Sequence, residues 1–117
     1  MSFAVLVVAD DEIARHFIER VLQQNELHVE SVGTAIAAAE RLAKSRFDAI
    51  ILDSDDAFVV LRYLHAADAS LIPRTVVATS RPRDAANAEL RDVCRVILKP
   101  FDARRLLEAI AECLSIA

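Results

Sequence analysis

The chain has 117 residues, of which 55% are hydrophobic and 27% are charged, and this size and composition predict one compact hydrophobic core. Its net charge is −4 and its Lys and Arg residues are scattered, which argues against direct binding to nucleic acid. The single glycine, Gly33, excludes the glycine-rich phosphate loops of dinucleotide-binding and nucleoside-triphosphate-binding enzymes.

Short apolar runs alternate with segments of helical periodicity along the chain. In chain order, they predict a strand over residues 3–9, a helix over 12–24, a strand over 27–32, a helix over 35–44, a strand over 48–53, a helix over about 58–67, a strand over 75–79, a weaker helix over 84–91, a strand over 93–98 and a final helix. Thr34 and Asp102 are suitable N-caps for the second and the final helix. The pattern therefore predicts five strands that alternate with five helices.

Four of the predicted strands are nearly continuous runs of Val, Ile, Leu and Ala, which is typical of parallel strands covered on both faces. The second strand alternates apolar and polar residues, as a half-exposed edge strand does. These features predict a three-layer α/β/α fold with a five-stranded parallel sheet.

The two cysteines, Cys94 and Cys113, lie in apolar stretches without metal-ligand spacing, and we expect small buried hydrophobic residues in a reducing compartment. The apolar stretch near the start is too short to span a bilayer and has no basic region before it, which predicts a cytoplasmic protein that does not enter the membrane. We see no repeat, low-complexity segment or linker, so we expect residues 1–117 to form one domain without an output domain.

Polar side chains follow the buried strands: Asp10 and Asp11 after the first, Asp53 after the third, Thr79 after the fourth and Lys99 after the fifth. The carboxyl ends of parallel strands meet at one edge of a sheet, where ligands bind. Carboxylates gathered there repel each other unless a cation offsets them, and Mg²⁺ prefers such oxygen ligands. The pattern predicts a magnesium site beside a lysine and a hydroxyl, an arrangement suited to phosphate.

This order of an acidic pair, an Asp, a Thr and a Lys-Pro at successive strand ends resembles the receiver domain of two-component response regulators, over essentially the whole chain. The resemblance implies a flavodoxin-like fold with strand order 2-1-3-4-5. It also implies transfer of a phosphoryl group from a phosphohistidine on a sensor histidine kinase or phosphotransfer protein, followed by hydrolysis. The domain would catalyse both steps with Mg²⁺ and signal to a downstream protein by a change of shape; a homodimer is left open.

By the same resemblance, each strand-end residue has a role. Asp53 is the phosphoacceptor and nucleophile, Asp10 and Asp11 hold Mg²⁺ together with Asp53 and the backbone carbonyl of Asp55, and Thr79 and Lys99 are the signalling hydroxyl and lysine. The resemblance further implies a cis peptide bond between Lys99 and Pro100.

The chain departs from the family pattern in the loop after Asp53, in the stretch before the fifth strand, which lacks the usual Ala-Gly-Ala, and at Val96. The loop after Asp53 is about four residues shorter than usual, by comparison with the family. Val96 occupies the position where many receivers carry an aromatic residue that moves inward on phosphorylation. Asp55 and Arg81 border the path of the attacking water by resemblance, and we expect them to pair across the site and alter the lifetime of the phosphoryl group.

Simpler interpretations exist for each motif taken singly. The acidic run 10–12 can be the solvated first turn of a helix, residues 53–56 a cap and turn, and residues 79–80 a cap of the fourth helix. A degenerate receiver that acts only as a protein-interaction module is the main alternative function. A haloacid-dehalogenase-type phosphatase, suggested by an Asp-Ser-Asp run over residues 53–55, ranks last because that family places its motif near the first strand of a longer chain.

Overall fold

The computed structural model describes residues 2–115. Its strands are β1 (Ala4–Ala9), β2 (His28–Val32), β3 (Ala49–Asp53), β4 (Thr75–Thr79) and β5 (Arg95–Leu98). Its α-helices are α1 (Glu12–Gln23), α2 (Ala35–Lys44), α3 (Ala57–Ala67) and α4 (Ala103–Leu114). The strands form one parallel sheet in the order β2-β1-β3-β4-β5, which confirms the predicted flavodoxin-like topology.

The hydrophobic core lies on both faces of this sheet. Along β1, Val5 and Val7 pack with residues of α1 and α4, whereas Leu6 and Val8 pack with residues of α2 and α3. This alternation follows from the two-residue period of a strand. Two helices therefore cover each face, and the carboxyl edge of the sheet stays open between the layers.

The predicted caps of two helices are confirmed. The Thr34 side chain accepts a hydrogen bond from the backbone N–H of Ala37 at 3.1 Å, and Asp102 accepts one from Arg105 at 2.9 Å. The peptide bond between Lys99 and Pro100 is cis, as expected. Within residues 2–115, every helix is too short or too polar to cross a bilayer.

The segment between β4 and β5 contradicts one prediction, because the expected α-helix over residues 84–91 does not form. Two separate 3-10 turns occupy this region, Pro82–Ala86 and Ala88–Leu90. Asn87 divides them, since its backbone is extended (φ −70°, ψ 130°) and its side chain accepts a hydrogen bond from the N–H of Glu89 at 2.9 Å. Such a side-chain bond offers the backbone a turn in place of a continuing helix.

The prediction of two separate thiols is also wrong. Cys94, just before β5, and Cys113, in α4, form a disulfide with Cα atoms 5.8 Å apart, within the usual range. The two residues are 19 positions apart in the chain and meet because α4 packs against β5. The disulfide therefore joins the last strand to the last helix.

Candidate functional site

Asp53 is the last residue of β3, and only 2% of its surface is exposed. Its Oδ1 contacts Nζ of Lys99, the residue that directly follows β5. Lys99 is held at this edge because its backbone N–H donates a hydrogen bond to the carbonyl of Thr79 at 2.9 Å. The structure thus brings the predicted phosphoacceptor and the predicted lysine into contact.

The Asp53 carboxylate is an unusual buried group. Among the buried side-chain polar atoms of the described residues, Oδ1 of Asp53 alone accepts no hydrogen bond. The polar contact of this oxygen is the ion pair with Nζ of Lys99. A buried carboxylate is costly unless a cation or hydrogen bonds compensate it. The site therefore stabilises a negative charge on Asp53 mainly through one lysine, whose side chain is 39% exposed.

Asp10 and Asp11 follow β1 at the same edge, since Ala9 lies opposite Asp53 in the register of β1 and β3. Asp10 is exposed. Asp11 is the N-cap of α1, and its Oδ2 accepts a hydrogen bond from the N–H of Ala14 at 2.8 Å. Asp11 also lines the same cleft as Asp53, so its place in a helix cap is compatible with a place in the site.

Within residues 2–115, no group of three or more His, Cys, Asp or Glu side chains is arranged to hold a metal ion. The three carboxylates predicted as magnesium ligands therefore do not form a ready-made cluster. The donor chemistry still fits Mg²⁺, because this ion commonly uses one or two carboxylates and keeps several waters. The Asp53 carboxylate, which accepts no hydrogen bond at Oδ1, and the exposed Asp10 at the adjacent strand end are such donors.

The loop between β3 and α3 consists of residues 54–56. The hydroxyl of Ser54 accepts a hydrogen bond from the N–H of Asp56 at 3.1 Å. Asp56 precedes α3, but its side chain makes no capping hydrogen bond, so this run of carboxylates is not explained as a helix cap. Asp55 is exposed and lines a cavity of about 100 Å³ with residues from the ends of β4 and β5.

Thr79, the last residue of β4, has its single hydroxyl proton engaged. The hydroxyl donates a hydrogen bond to Oδ2 of Asp84 at 2.6 Å and accepts one from the backbone N–H of Arg81 at 3.1 Å. Both Thr79 and Asp84 are buried. The predicted signalling hydroxyl thus lies at the site but is bonded to a carboxylate other than Asp53.

Arg81 does not form the pair predicted with Asp55. Its Nε donates instead to Oδ2 of Asp84 at 3.0 Å, the oxygen that also accepts from Thr79. These contacts, the Thr79 hydrogen bond first, hold the pKa of the Asp84 carboxyl below its ordinary value, although burial opposes the shift.

Asp84 is a polar residue at this edge that the sequence did not single out. Its position two residues after Pro82 suggested only the first turn of a helix. A signal was present, because a 3-10 or α-helical turn after a strand can return an acidic side chain toward the hydroxyl at the strand end. That signal is weak without the fold.

Val96 lies on β5 opposite Val77 of β4 and packs against the core cluster on the α2 and α3 side. The aromatic rings near the site lie elsewhere. Phe17 of α1 and Phe101 after β5 have ring centroids 6.3 Å apart, and together with the 81% exposed Ile13 they line the cleft that contains Asp53. The cleft, of about 540 Å³, therefore has a charged floor and an apolar rim.

Comparisons with known proteins agree with this architecture. Residues 5–111 match the family described as response regulator receiver domain. The sensory transduction proteins LytT of Bacillus cereus and Bacillus anthracis are 33% and 32% identical over 113 residues, covering 91% of this chain and 45% of each of those proteins. The chain thus spans less than half the length of these curated relatives.

Two solved structures share the fold. The chemotaxis response regulator CheY4 of Vibrio cholerae aligns with a TM-score of 0.86 at 21% identity, covering 97% of this chain and 100% of that one. The receiver domain of a sensor histidine kinase from Pseudomonas aeruginosa, with magnesium coordinated in its active-site cleft, aligns with a TM-score of 0.84 at 20% identity, covering 99% and 100%. With the family match over residues 5–111, the chain belongs to the response regulator receiver domains of two-component signalling.

Proposed function

We propose that this receiver domain accepts a phosphoryl group on Asp53 from a phosphohistidine of a sensor histidine kinase or phosphotransfer protein. The observation that carries the proposal is the Asp53 carboxylate itself. It is buried at the end of β3, and the ammonium of Lys99, which contacts Oδ1, is its polar contact among the described residues. A carboxylate held by one cation, without hydrogen bonds that fix its oxygens, is suited to attack phosphorus.

In the transfer, a carboxylate oxygen of Asp53 forms a bond to phosphorus while the phosphorus–nitrogen bond to the donor histidine breaks, and the electron pair leaves with the imidazole. Catalysis of this step depends on position and charge rather than on acid or base chemistry. Lys99 already contacts Asp53 and neutralises negative charge on that side of the site. The same groups serve hydrolysis, which returns Asp53 to the free carboxylate.

Asp10, Asp11 and Asp53, with the backbone carbonyl of Asp55, are the residues that we propose hold Mg²⁺. When bound, this ion would neutralise charge on the transferring phosphoryl group. Support comes from the donor set at one sheet edge and from the P. aeruginosa receiver domain, whose cleft contains magnesium. Asp11 would contribute while still capping α1 or after release from its cap.

The partner kinase and a downstream protein would both meet this domain at its surface, and the apolar rim formed by Ile13, Phe17 and Phe101 beside Asp53 is suited to a protein partner. Phosphorylation would signal through movement of Thr79 and Lys99. We further propose that the domain can form a homodimer, which phosphorylation of Asp53 would favour.

We also propose a cytoplasmic location, as for other partners of sensor kinases. Thiol buffers in that compartment disfavour disulfides, so the Cys94–Cys113 bond is the observation that opposes it. Trapping of thiols at the moment of cell lysis tests the location. Two modified cysteines per chain would support it, and a fully oxidised pair would count against it.

The experiment is incubation with Mg²⁺ and acetyl phosphate, followed by intact-protein mass spectrometry. We expect the wild-type protein to gain one phosphoryl group and Asp53→Ala to gain none. Asp56→Ala is the matched control, because Asp56 is an exposed carboxylate three residues away whose side chain makes no capping hydrogen bond. Labelling that persists in Asp53→Ala would refute the assignment.

The second candidate is a degenerate receiver that binds proteins without phosphorylation. It is favoured by the fact that both signalling groups already have carboxylate partners, Lys99 with Asp53 and Thr79 with Asp84. A folded wild-type protein that gains no mass from acetyl phosphate, and shows no spectral change with beryllofluoride, would support this candidate.

A further inference from the structure

The hydroxyl of Thr79 is committed to contacts that lead away from Asp53. A hydroxyl has one proton, and Thr79 donates it to Oδ2 of Asp84 at 2.6 Å. Its oxygen accepts from the N–H of Arg81 at 3.1 Å. A phosphoryl oxygen on Asp53 could therefore receive a hydrogen bond from Thr79 only after the bond to Asp84 breaks.

Asp84 is itself firmly held. Only 8% of the residue is exposed, and Nε of Arg81 donates to its Oδ2 at 3.0 Å. The 3-10 turn Pro82–Ala86 presents Asp84 to the sheet, and within it the N–H of Asp84 donates to the carbonyl of Arg81 at 3.0 Å. The low pKa of its carboxyl keeps the acceptor charged at neutral pH.

We propose that Asp84 is a positioning residue that holds the Thr79 hydroxyl in the resting domain and competes for it with a phosphoryl group on Asp53. The inference rests on the proposed phosphorylation of Asp53. It explains why the turn after β4 is joined to the end of that strand by a hydrogen bond to the buried Asp84 carboxylate. It also assigns a role to Arg81, which orients Asp84 rather than pairing with Asp55.

The competition should oppose activation in two ways. The bond between Thr79 and a charged acceptor must be exchanged for one to the phosphoryl group, which reduces the net gain from that contact. The Asp84 carboxylate also repels a second negative group that approaches Thr79. Removal of Asp84 should therefore tighten binding of beryllofluoride, a phosphoryl mimic, roughly tenfold to hundredfold, the range expected for one charge-assisted hydrogen bond.

The test measures, with Mg²⁺ present, the apparent affinity for beryllofluoride and the concentration dependence of labelling by acetyl phosphate. The variants are Asp84→Ala and Asp84→Asn, each with and without Thr79→Val. Asp84→Asn has nearly the shape of the native side chain, so it keeps the test valid if Asp84→Ala fails to fold. Glu89→Ala is the control, because Glu89 is an exposed carboxylate in the neighbouring turn.

We expect both Asp84 variants to bind beryllofluoride more tightly than wild type, with Asp84→Asn intermediate, and Glu89→Ala to match wild type. Most of the gain should vanish in the Thr79→Val background, because Asp84 acts mainly through that hydroxyl, and only the smaller part that comes from lost charge repulsion should remain. A gain of the same size in Thr79→Val as in the native background would overturn the proposal, since it would show an effect that does not pass through Thr79.

The same measurements separate this inference from the proposed function. Wild type that is labelled, with Asp84 variants no tighter than wild type, refutes the role of Asp84 alone. Labelling of Asp84→Ala but not of wild type supports that role. If neither is labelled and neither binds beryllofluoride, phosphorylation of Asp53 is refuted and the role of Asp84 with it.

Discussion

The contact between Asp53 and Lys99 permits a quantitative test of the site in the absence of phosphate. Lys99→Ala leaves the nearly fully buried Asp53 carboxylate without its cation. Breaking a fully buried ion pair from one side costs about 3–5 kcal/mol. Because the Lys99 side chain is 39% exposed, solvent screens part of the charge, and we expect a loss of roughly 2 kcal/mol in the free energy of unfolding.

The second arm of the test is Asp53→Asn, which removes the buried charge. Burial of an ion pair costs desolvation energy that a neutral amide of similar volume largely avoids, so this variant should be as stable as wild type or more stable. In the Asp53→Asn background, Lys99→Ala should then cost close to nothing. The coupling energy of the double-mutant cycle should therefore be about 2 kcal/mol.

Urea unfolding in the presence of a chelator measures all four proteins, with the midpoint expected to move while the slope stays constant. For a chain of this size, a loss of 2 kcal/mol corresponds to a decrease of about 8 °C in Tm. Arg95→Ala is the control, because its ion pair with Glu112 is about half exposed on both sides and should contribute less than about 0.5 kcal/mol. An equal cost of Lys99→Ala in both Asp53 backgrounds would refute the electrostatic account.

Three further predictions address the metal, the buried acid and the disulfide. Mg²⁺ at a hundredfold excess over its Kd should stabilise wild type by about 2.7 kcal/mol in thermal unfolding and Asp53→Asn much less; equal shifts would contradict the metal site. The pKa of Asp84 is held below its ordinary value of 3.8 in the folded protein, so the ionised carboxylate stabilises the fold above pH 3.8. This stabilisation is lost as the pH falls through the pKa of the folded protein, and acid titration should therefore destabilise wild type more than Asp84→Asn. Reduction of the disulfide between Cys94 and Cys113, which closes a loop of 19 residues, should lower the free energy of unfolding by about 3 kcal/mol in urea titrations, whereas Cys94→Ser should not respond to reductant.

Most of the sheet could be predicted because its strands are specified by local pattern. Continuous apolar runs identify β1, β3 and β4, which are almost completely buried. The same pattern was wrong for β5, which is the second edge of the sheet and exposes 39% of Leu98. The strand order came from the family resemblance and not from the pattern alone. Once that order is known, Asp53 and Lys99 must lie near each other. The contact between them is a consequence of topology more than of any local signal.

The segment after β4 could not be predicted in the same way. Its short polar sequence has a helix-like composition, and the two 3-10 turns that form instead are accompanied by an Asn87 side-chain bond and by burial of Asp84. The disulfide shows the same limit, because Cys94 and Cys113 meet only through the packing of α4 on β5. Contacts between distant elements override weak local preferences.

The two signalling groups differ in how phosphorylation would release them. Lys99 is paired with Asp53, so the group that would be modified is also the group that holds the lysine, and the added phosphoryl oxygens can take over that contact directly. Thr79 is paired with Asp84, which phosphorylation leaves charged and in place. The response of Lys99 therefore follows from the chemistry on Asp53, whereas the response of Thr79 depends on the balance between two acceptors. A receiver built in this way would reach its active shape only when the phosphoryl group, or a partner that favours that shape, outweighs Asp84.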